Sequence, residues 1–180
     1  MAGFFPNWLT GRTRVRTAAV SLADAVVTRA RSASFYRTGL AEDTFDGRFD
    51  LMALHGALVL HRLRAMETGG APLAEALGEA LMDRVDYALR EEGVGDTTIA
   101  RKVRKRGEAL YGLATALADT LDSRGGLEDV EGVLTRNGLG GRAPATLASY
   151  TLAAADALHR CPDKTLAGGH VDWPQTPVAS

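Results

Sequence analysis

The chain has 180 residues, which suits one compact domain with ragged ends, and its 46% hydrophobic content argues against global disorder. Its 21 basic and 22 acidic side chains give a net charge of -1, which argues against a dedicated nucleic-acid binder. The one cysteine, Cys161, cannot form an internal disulfide, and no run of about 18 apolar residues predicts a membrane span.

The N-terminal region is rich in arginine and poor in acids. Its first 41 residues contain six arginines and one acid, Asp24, which gives a net charge of +5. This composition is typical of a mitochondrial transit peptide or of an amphipathic first helix. Residues 1–12 are interpreted as an aromatic and basic arm. Its rings Phe4, Phe5 and Trp8 are candidate membrane contacts, and the alternative is that they fold back onto the domain.

Helical periodicity dominates the rest of the chain, and strand signals are nearly absent. The apolar spacing predicts six helices, over 13–32, 48–66, 72–92, 97–122, 127–136 and 143–159. Asp46 and Asp96 are the expected N-caps of the second and fourth of these. The second helix is apolar around well over half of its circumference, which predicts a central position.

The predicted fold class is therefore all-α, a single-domain helical bundle of about six helices over residues 13–160. The last 20 residues, 161–180, contain several glycines and prolines and are expected to form a flexible tail.

Candidate catalytic and metal-binding groups are sparse. His55 lies within the apolar arc of its helix, which favours a core histidine hydrogen-bonded to a neighbouring helix over a metal ligand or a catalytic base. His159, Cys161 and His170 would form a zinc corner without a fourth ligand. The loop between Gly93 and Gly95 lacks the ending of a phosphate-binding loop and favours a tight corner between two helices. We therefore predict no catalytic residue, no metal and no cofactor.

The densest basic cluster of the chain opens the fourth predicted helix. It consists of Arg101, Lys102, Arg104, Lys105 and Arg106. Such a cluster suits docking on ribosomal RNA or on anionic lipid. The alternative is a solvated face with one arginine paired internally to a carboxylate, for which Asp83 and Glu91 are candidates.

Two sequence blocks between Phe35 and Tyr111 resemble the ubiquinol–cytochrome c chaperone family. The order and spacing of the blocks carry the resemblance. The first block contains Phe35-Tyr36, Asp43-Thr44-Phe45-Asp46-Gly47-Arg48-Phe49-Asp50, Leu54-His55, Leu58 and Arg62-Leu63. The second contains Leu81-Met82-Asp83, Leu89-Arg90-Glu91-Glu92-Gly93-Val94-Gly95-Asp96, Lys102 and Tyr111-Gly112. Bacterial members of the family carry an arginine- and alanine-rich helix just upstream, which favours a structural helix over 13–32 rather than a transit peptide.

The resemblance implies a non-catalytic, all-α chaperone that acts in assembly of ubiquinol–cytochrome c reductase. The mitochondrial members act near the ribosomal exit tunnel and bind newly made cytochrome b. Carried onto this chain, the basic cluster would face the ribosome or an anionic membrane. A groove at His55, Leu51, Leu58 and Arg62 would hold the client or a small helical partner protein. The expected location is the bacterial cytoplasm beside the inner membrane, or the mitochondrial matrix in a eukaryote.

Two other function classes stay open from the sequence. A lipid- or quinone-binding helical protein would need a closed apolar cavity beside the second predicted helix. An enzyme with a hidden site would need polar groups that converge around His55 and Asp46.

Overall fold

The computed structural model describes residues 7–93 and 95–177, with only the backbone of residues 7–10 and of Asp96. Within these ranges the chain forms six helices of ten residues or more and two helices of five residues. They are α1 (Asn7–Ala30), α2 (Ala33–Arg37), α3 (Phe45–Arg64), α4 (Gly70–Glu91), α5 (Asp96–Asp122), α6 (Leu127–Arg136), α7 (Pro144–Arg160) and α8 (Asp163–Ala167). The predicted all-α bundle of about six helices is confirmed.

Helix α3 is the centre of the bundle, as its apolar circumference predicts. Every residue from Leu51 to Leu60 is buried, and α3 packs against α1, α4, α5 and α7. A helix that is enclosed on several sides can bury apolar residues all round. The remaining helices present one apolar stripe each to this core.

The N-cap of α3 differs from the prediction. Thr44 occupies that position, and its hydroxyl accepts a hydrogen bond from the Gly47 amide at 3.1 Å. Asp46 instead lies in the first turn, where a carboxylate is favourable beside the helix N-terminus. A Cβ at Gly47 would lie 2.1 Å from the carbonyl oxygen of Glu42, so only glycine fits where the preceding loop approaches the helix.

Two other helix starts also differ. Helix α1 begins at Asn7 rather than at residue 13, so residues 7–12 are helical rather than part of a separate arm. Helix α5 begins at Asp96 itself, with Gly95 at the N-cap position. The corner before α5 uses Gly93 with a φ of 75°, a left-handed conformation that a side chain disfavours.

The segment after α7 is a correction to the predicted flexible tail. Cys161 and Leu166 are buried, and Trp173 packs against the core. Glycine and proline content reports low helix propensity but not whether the apolar side chains between them are buried. Residues 161–177 therefore lie against the bundle. None of the helices in the described ranges is long and apolar enough to cross a membrane.

Candidate functional site

A wide groove opens between the C-terminal half of α1, the first turns of α3 and the C-terminal half of α4. Its volume is about 780 Å³. The floor is apolar and consists of Val27, Ala30, Phe45, Phe49, Met52, Val85 and Ala88. Three helices that are distant in sequence thus share one apolar depression at the surface of the bundle.

The rim of the groove is charged. Arg84 of α4 pairs with Asp24 of α1 at 2.6 Å, and both side chains are substantially exposed. Arg48 pairs with Asp43 at 2.8 Å beside the start of α3. The other charged lining residues are Arg31, Asp83, Glu91 and Glu92. An apolar floor inside a rim of both signs is the composition of a protein-docking surface.

Tyr87 stands at the edge of this groove. It lies in the groove lining and is 65% exposed, the largest exposure of any large hydrophobic side chain in the described residues. Tyrosine combines a large contact area with few rotatable bonds, so it is favoured at the centre of protein interfaces. Its ring is available to a partner without any rearrangement of the core.

Arg106 joins α5 to the start of α3 next to the groove. Its guanidinium lies over the rings of Phe45 and Phe49, 5.6 and 4.5 Å from their centroids, and it pairs with Asp46. The sequence allowed one arginine with an internal carboxylate but suggested Asp83 or Glu91. The actual partner is Asp46, which lies 60 positions away in the sequence.

Asp50 lies one helical turn further along α3 from this pair. Burial raises the pKa of its carboxyl to about 6, while Arg106 acts to lower it and Asp46 to raise it. The carboxyl therefore holds its proton at mildly acid pH. The two neighbouring acids of α3 thus differ, since Asp46 is exposed and ion-paired whereas Asp50 is largely enclosed.

His55 belongs to a buried chain of hydrogen bonds. Its Nδ1–H donates to the Leu51 carbonyl at 2.6 Å, so Nε2 accepts from the Tyr150 hydroxyl at 2.8 Å. The Tyr150 oxygen accepts in turn from Arg29 Nε at 2.9 Å. Burial lowers the pKa of His55 to about 4, so the ring is neutral. The predicted core histidine, bonded to a neighbouring helix, is confirmed.

The client groove predicted around His55 is wrong in its position. His55, Leu51 and Leu58 are all 1% exposed or less, so they form the core rather than a surface. His55 and Asp46, the centre of the enzyme alternative, have separate partners: His55 bonds to Leu51 and Tyr150, and Asp46 pairs with Arg106. The apolar periodicity of α3 identified buried residues but could not indicate which part of the helix reaches the surface.

Arg62 likewise has a structural position. Its Nε donates to the Leu158 carbonyl at 2.9 Å, and its Nη2 donates to the Cys161 carbonyl at 2.9 Å and to Asp163. It therefore closes the C-terminus of α7 and anchors the segment that follows. In the described part of the chain, no three histidine, cysteine or acidic side chains converge as a metal site, and this includes His159, Cys161 and His170.

Comparison with known proteins decides the family. Residues 40–173, most of the chain, match the family model of the ubiquinol–cytochrome c chaperone. The chain belongs to the ubiquinol–cytochrome c chaperone family. The crystal structure of the Cbp3 homologue from Brucella abortus is similar, with a TM-score of 0.79 and 26% identity over 93% of this chain and 94% of that chain. No curated protein sequence matches the chain significantly. The resemblance inferred from residues 35–111 is confirmed.

Some of the residues that carry the resemblance to the ubiquinol–cytochrome c chaperone family lie at the groove. Arg48, Phe49 and Glu91 line it directly. Arg90 pairs with Asp86 one turn earlier on α4 at 2.7 Å. Three other signature residues, Gly47, Gly93 and Gly95, shape the backbone beside the groove. Asp46 and Asp96 lie in the first turns of α3 and α5. The side chain of Asp96 is not described.

Sequence reasoning missed the contribution of α1 and α4 to the groove. One signal was present in the sequence, because a part of each matching block borders the groove, one at the start of α3 and the other at the end of α4. The acidic side chains of α4 have the periodicity of a solvated face. Which of them border an apolar depression depends on the packing of α1 against α4.

The basic cluster of this chaperone divides in two. Arg101, Lys102, Arg104 and Lys105 are exposed on the first turns of α5, and Arg104 lies 3.7 Å from Glu108. Arg106 is 26% exposed and points to α3. Four cations therefore remain exposed at the surface. Of the predicted membrane contacts, Phe4, Phe5 and the side chain of Trp8 lie outside the described residues.

Proposed function

We propose that this chain is a non-catalytic assembly chaperone for ubiquinol–cytochrome c reductase that holds newly made cytochrome b in the groove between α1, α3 and α4. The observation that carries this proposal is the position of Arg48, Phe49 and Glu91, family-signature residues that line an open apolar groove. The client acts as a ligand of this surface, and no chemical step is required.

The chemistry of the groove suits a membrane protein before insertion. Such a client exposes apolar side chains to water, and these gain free energy by contact with Val27, Met52 and Val85. A groove of about 780 Å³ takes a row of side chains from one helix rather than the whole helix. The charged rim then fixes the orientation of the client through ion pairs at the edge of the groove. Such ion pairs contribute more to specificity than to affinity.

A variant that blocks the groove tests this role. We expect Tyr87→Ala combined with Ala88→Arg to weaken client binding about 10- to 100-fold, because it removes an exposed anchor and places a charge on the floor. A deletion strain that carries this variant should contain strongly reduced amounts of assembled reductase. Assembled complex and newly made cytochrome b are measured with subunit transcripts as a reference.

The matched control for the groove variant is Leu127→Ala. Leu127 is 43% exposed and lies on α6, outside the groove lining. Both proteins should unfold within about 1 kcal/mol of the wild type, as expected for surface positions. Full complementation by the groove variant would exclude the groove as the client site, and a deletion strain with normal reductase would exclude the assembly role.

We further propose that the four exposed cations of α5 dock the chaperone at the ribosome or the anionic membrane surface, in the cytoplasm beside the inner membrane or in the mitochondrial matrix. Arg101, Lys102, Arg104 and Lys105 form a positive face on a protein of net charge -1, so their field is local. Phosphate groups of lipid or ribosomal RNA are the complementary ligand. The aromatic residues Phe4, Phe5 and Trp8 would add an apolar contact at a membrane.

Charge reversal tests the docking face. The variant Arg101→Glu, Arg104→Glu, Lys105→Glu should reduce co-sedimentation with ribosomes or with anionic vesicles about tenfold or more at low salt. Reversal of Arg124, Arg136 and Lys164, which are exposed elsewhere on the molecule, serves as the control for total charge. Equal sedimentation of both triple variants and the wild type would eliminate this docking role.

A lipid- or quinone-binding role is the second candidate. The apolar floor beside α3 favours it, since an acyl or isoprenoid chain needs such a surface. The groove is open and has a charged rim. Such a surface suits a protein helix better than an acyl or isoprenoid chain, which a binding protein usually encloses. Native mass spectrometry of the purified protein separates the two, because a resident lipid would add a defined mass that disappears in the Ala88→Arg variant.

A further inference from the structure

The segment after α8 covers the buried hydrogen-bond chain of His55. We define residues 171–177 as the C-terminal strap. The indole of Trp173 meets the His55 ring edge to face, with centroids 5.0 Å apart and planes at 87°. His55 is completely buried with the strap in place. The strap therefore closes a pocket that leads to the centre of the bundle.

Few polar contacts hold the strap. Among the described residues, the last main-chain hydrogen bond of this region runs from the His170 amide to the Thr165 carbonyl, before the strap begins. Arg29 Nη2 donates to the Pro174 carbonyl. The Cys161 thiol, whose pKa is raised by burial, lies beside the backbone of Asp172 and donates to the Pro162 carbonyl at 3.9 Å. The apolar packing of Val171 and Trp173 against the core is thus the main attachment.

The indole N–H of Trp173 makes no hydrogen bond in this position. The indole Nε1 is buried and has no hydrogen-bond partner. A buried donor without an acceptor disfavours the closed arrangement, and such groups are uncommon in native structures. The pocket therefore accepts the shape of an aromatic ring but supplies no acceptor for an indole N–H.

The pocket beneath the strap is held together without it. Phe35 packs edge to face against His55 and Tyr150, with centroid distances of 5.5 and 5.1 Å. The hydrogen bonds from Arg29 to Tyr150, from Tyr150 to His55 and from His55 to Leu51 do not involve the strap. Removal of the described residues of the strap leaves Arg29 Nη2 without its acceptor at the edge of this cluster. An aromatic pocket with one free donor at its edge would remain.

We propose that the C-terminal strap is displaceable and that this pocket binds an extended segment of a partner protein through an aromatic side chain. The following residue of that segment would accept from Arg29 through its carbonyl oxygen. Trp173 and Pro174 present this combination within the chain itself. The guanidinium of Arg29 lies 5.4 Å from the Tyr150 ring centroid and is thereby oriented toward the incoming carbonyl. This site is separate from the groove and does not depend on the client proposed for it.

Binding of a strap peptide tests the site. The probe is a fluorescein-labelled peptide of residues 168–177, and its control has alanine in place of tryptophan. We expect the full chain carrying Trp173→Ala to bind the probe at least about tenfold more tightly than the wild type, whose tethered strap competes at a millimolar effective concentration. The control peptide should not bind. Absent or equal binding by the two chains would overturn the proposal.

A second measurement does not depend on any substitution at Trp173. In the Trp8→Phe variant, where Trp173 is the one remaining tryptophan, acrylamide should quench the Trp173 fluorescence at urea concentrations that leave the helical circular dichroism unchanged, because a displaceable strap opens without unfolding of the bundle. Exposure of Trp173 only together with loss of the helical signal would overturn the proposal. A dimer of the wild type that grows with concentration would identify the strap of a second copy as the occupant and would overturn the assignment to a partner protein.

Discussion

The variant His55→Leu is expected to lower the free energy of unfolding by about 2–3 kcal/mol at pH 7 to 8, because it leaves the buried Tyr150 hydroxyl without its acceptor. The Leu51 carbonyl also loses the imidazole donor. Leucine fills a similar volume, so the loss comes from the stranded polar groups rather than from a large cavity.

The effect of this substitution should shrink in acid. Burial lowers the pKa of His55 to about 4 from its ordinary 6.5, so the unfolded chain takes up the proton first as the pH falls. The wild type therefore loses stability between about pH 6.5 and pH 4, by at most about 3 kcal/mol at 1.36 kcal/mol per unit. The leucine variant has no such loss.

Asp50 changes the free energy of unfolding in the opposite direction over a similar pH range. Burial raises the pKa of its carboxyl from 3.8 to about 6, so the native state holds this proton more tightly than the unfolded state. Its contribution to stability therefore increases as the pH falls from about 6 toward 3.8 and is lost as the pH rises. The effects of His55 and Asp50 on the pH dependence of stability partly cancel, and the Asp50→Asn variant is needed to separate them.

Urea denaturation followed by circular dichroism between pH 4.5 and pH 8 measures both effects. The wild type, His55→Leu and Asp50→Asn are compared at each pH, with the slope against urea checked for constancy. A difference between the wild type and His55→Leu that stays the same at every pH would contradict the assignment of a neutral His55.

The variant Arg62→Met is expected to cost about 2–3 kcal/mol, since three acceptors lose a largely buried guanidinium. Two of these acceptors are the carbonyl oxygens of Leu158, in the last turn of α7, and of Cys161, its C-cap residue. Methionine preserves the aliphatic part of the packing. The loss should therefore concentrate at the junction between α7 and α8.

Arg64→Met is the matched control, because Arg64 lies at the same end of α3 with an exposed side chain. The free energy of unfolding and hydrogen exchange at residues 158–167 measure the difference. Faster exchange confined to this junction is expected for Arg62→Met alone. Equal behaviour of the two variants would mean that the contacts of Arg62 contribute no net stability.

The local spacing of apolar residues was sufficient to predict much of the fold. The six longer helices follow from apolar periodicity, and α6 has the predicted bounds, residues 127–136, because glycines precede and follow it. The central position of α3 followed from a helix that is apolar nearly all round. The burial of His55 was predicted from its position within the apolar arc of α3. Each of these properties depends on neighbours within a few residues along the chain.

The candidate site depended on the tertiary structure. The groove combines α1, α3 and α4, Arg106 meets Asp46 across 60 positions, and Trp173 covers a histidine near the middle of the chain. Periodicity shows which face of a helix is apolar, but not which helices meet there or where a gap between them stays open. The sequence by itself therefore determined the helices, the core and the family resemblance. Only the packing of distant segments decided the groove, the ion pairs and the docked C-terminal segment, because the contacts that create them are not encoded by neighbours in the chain.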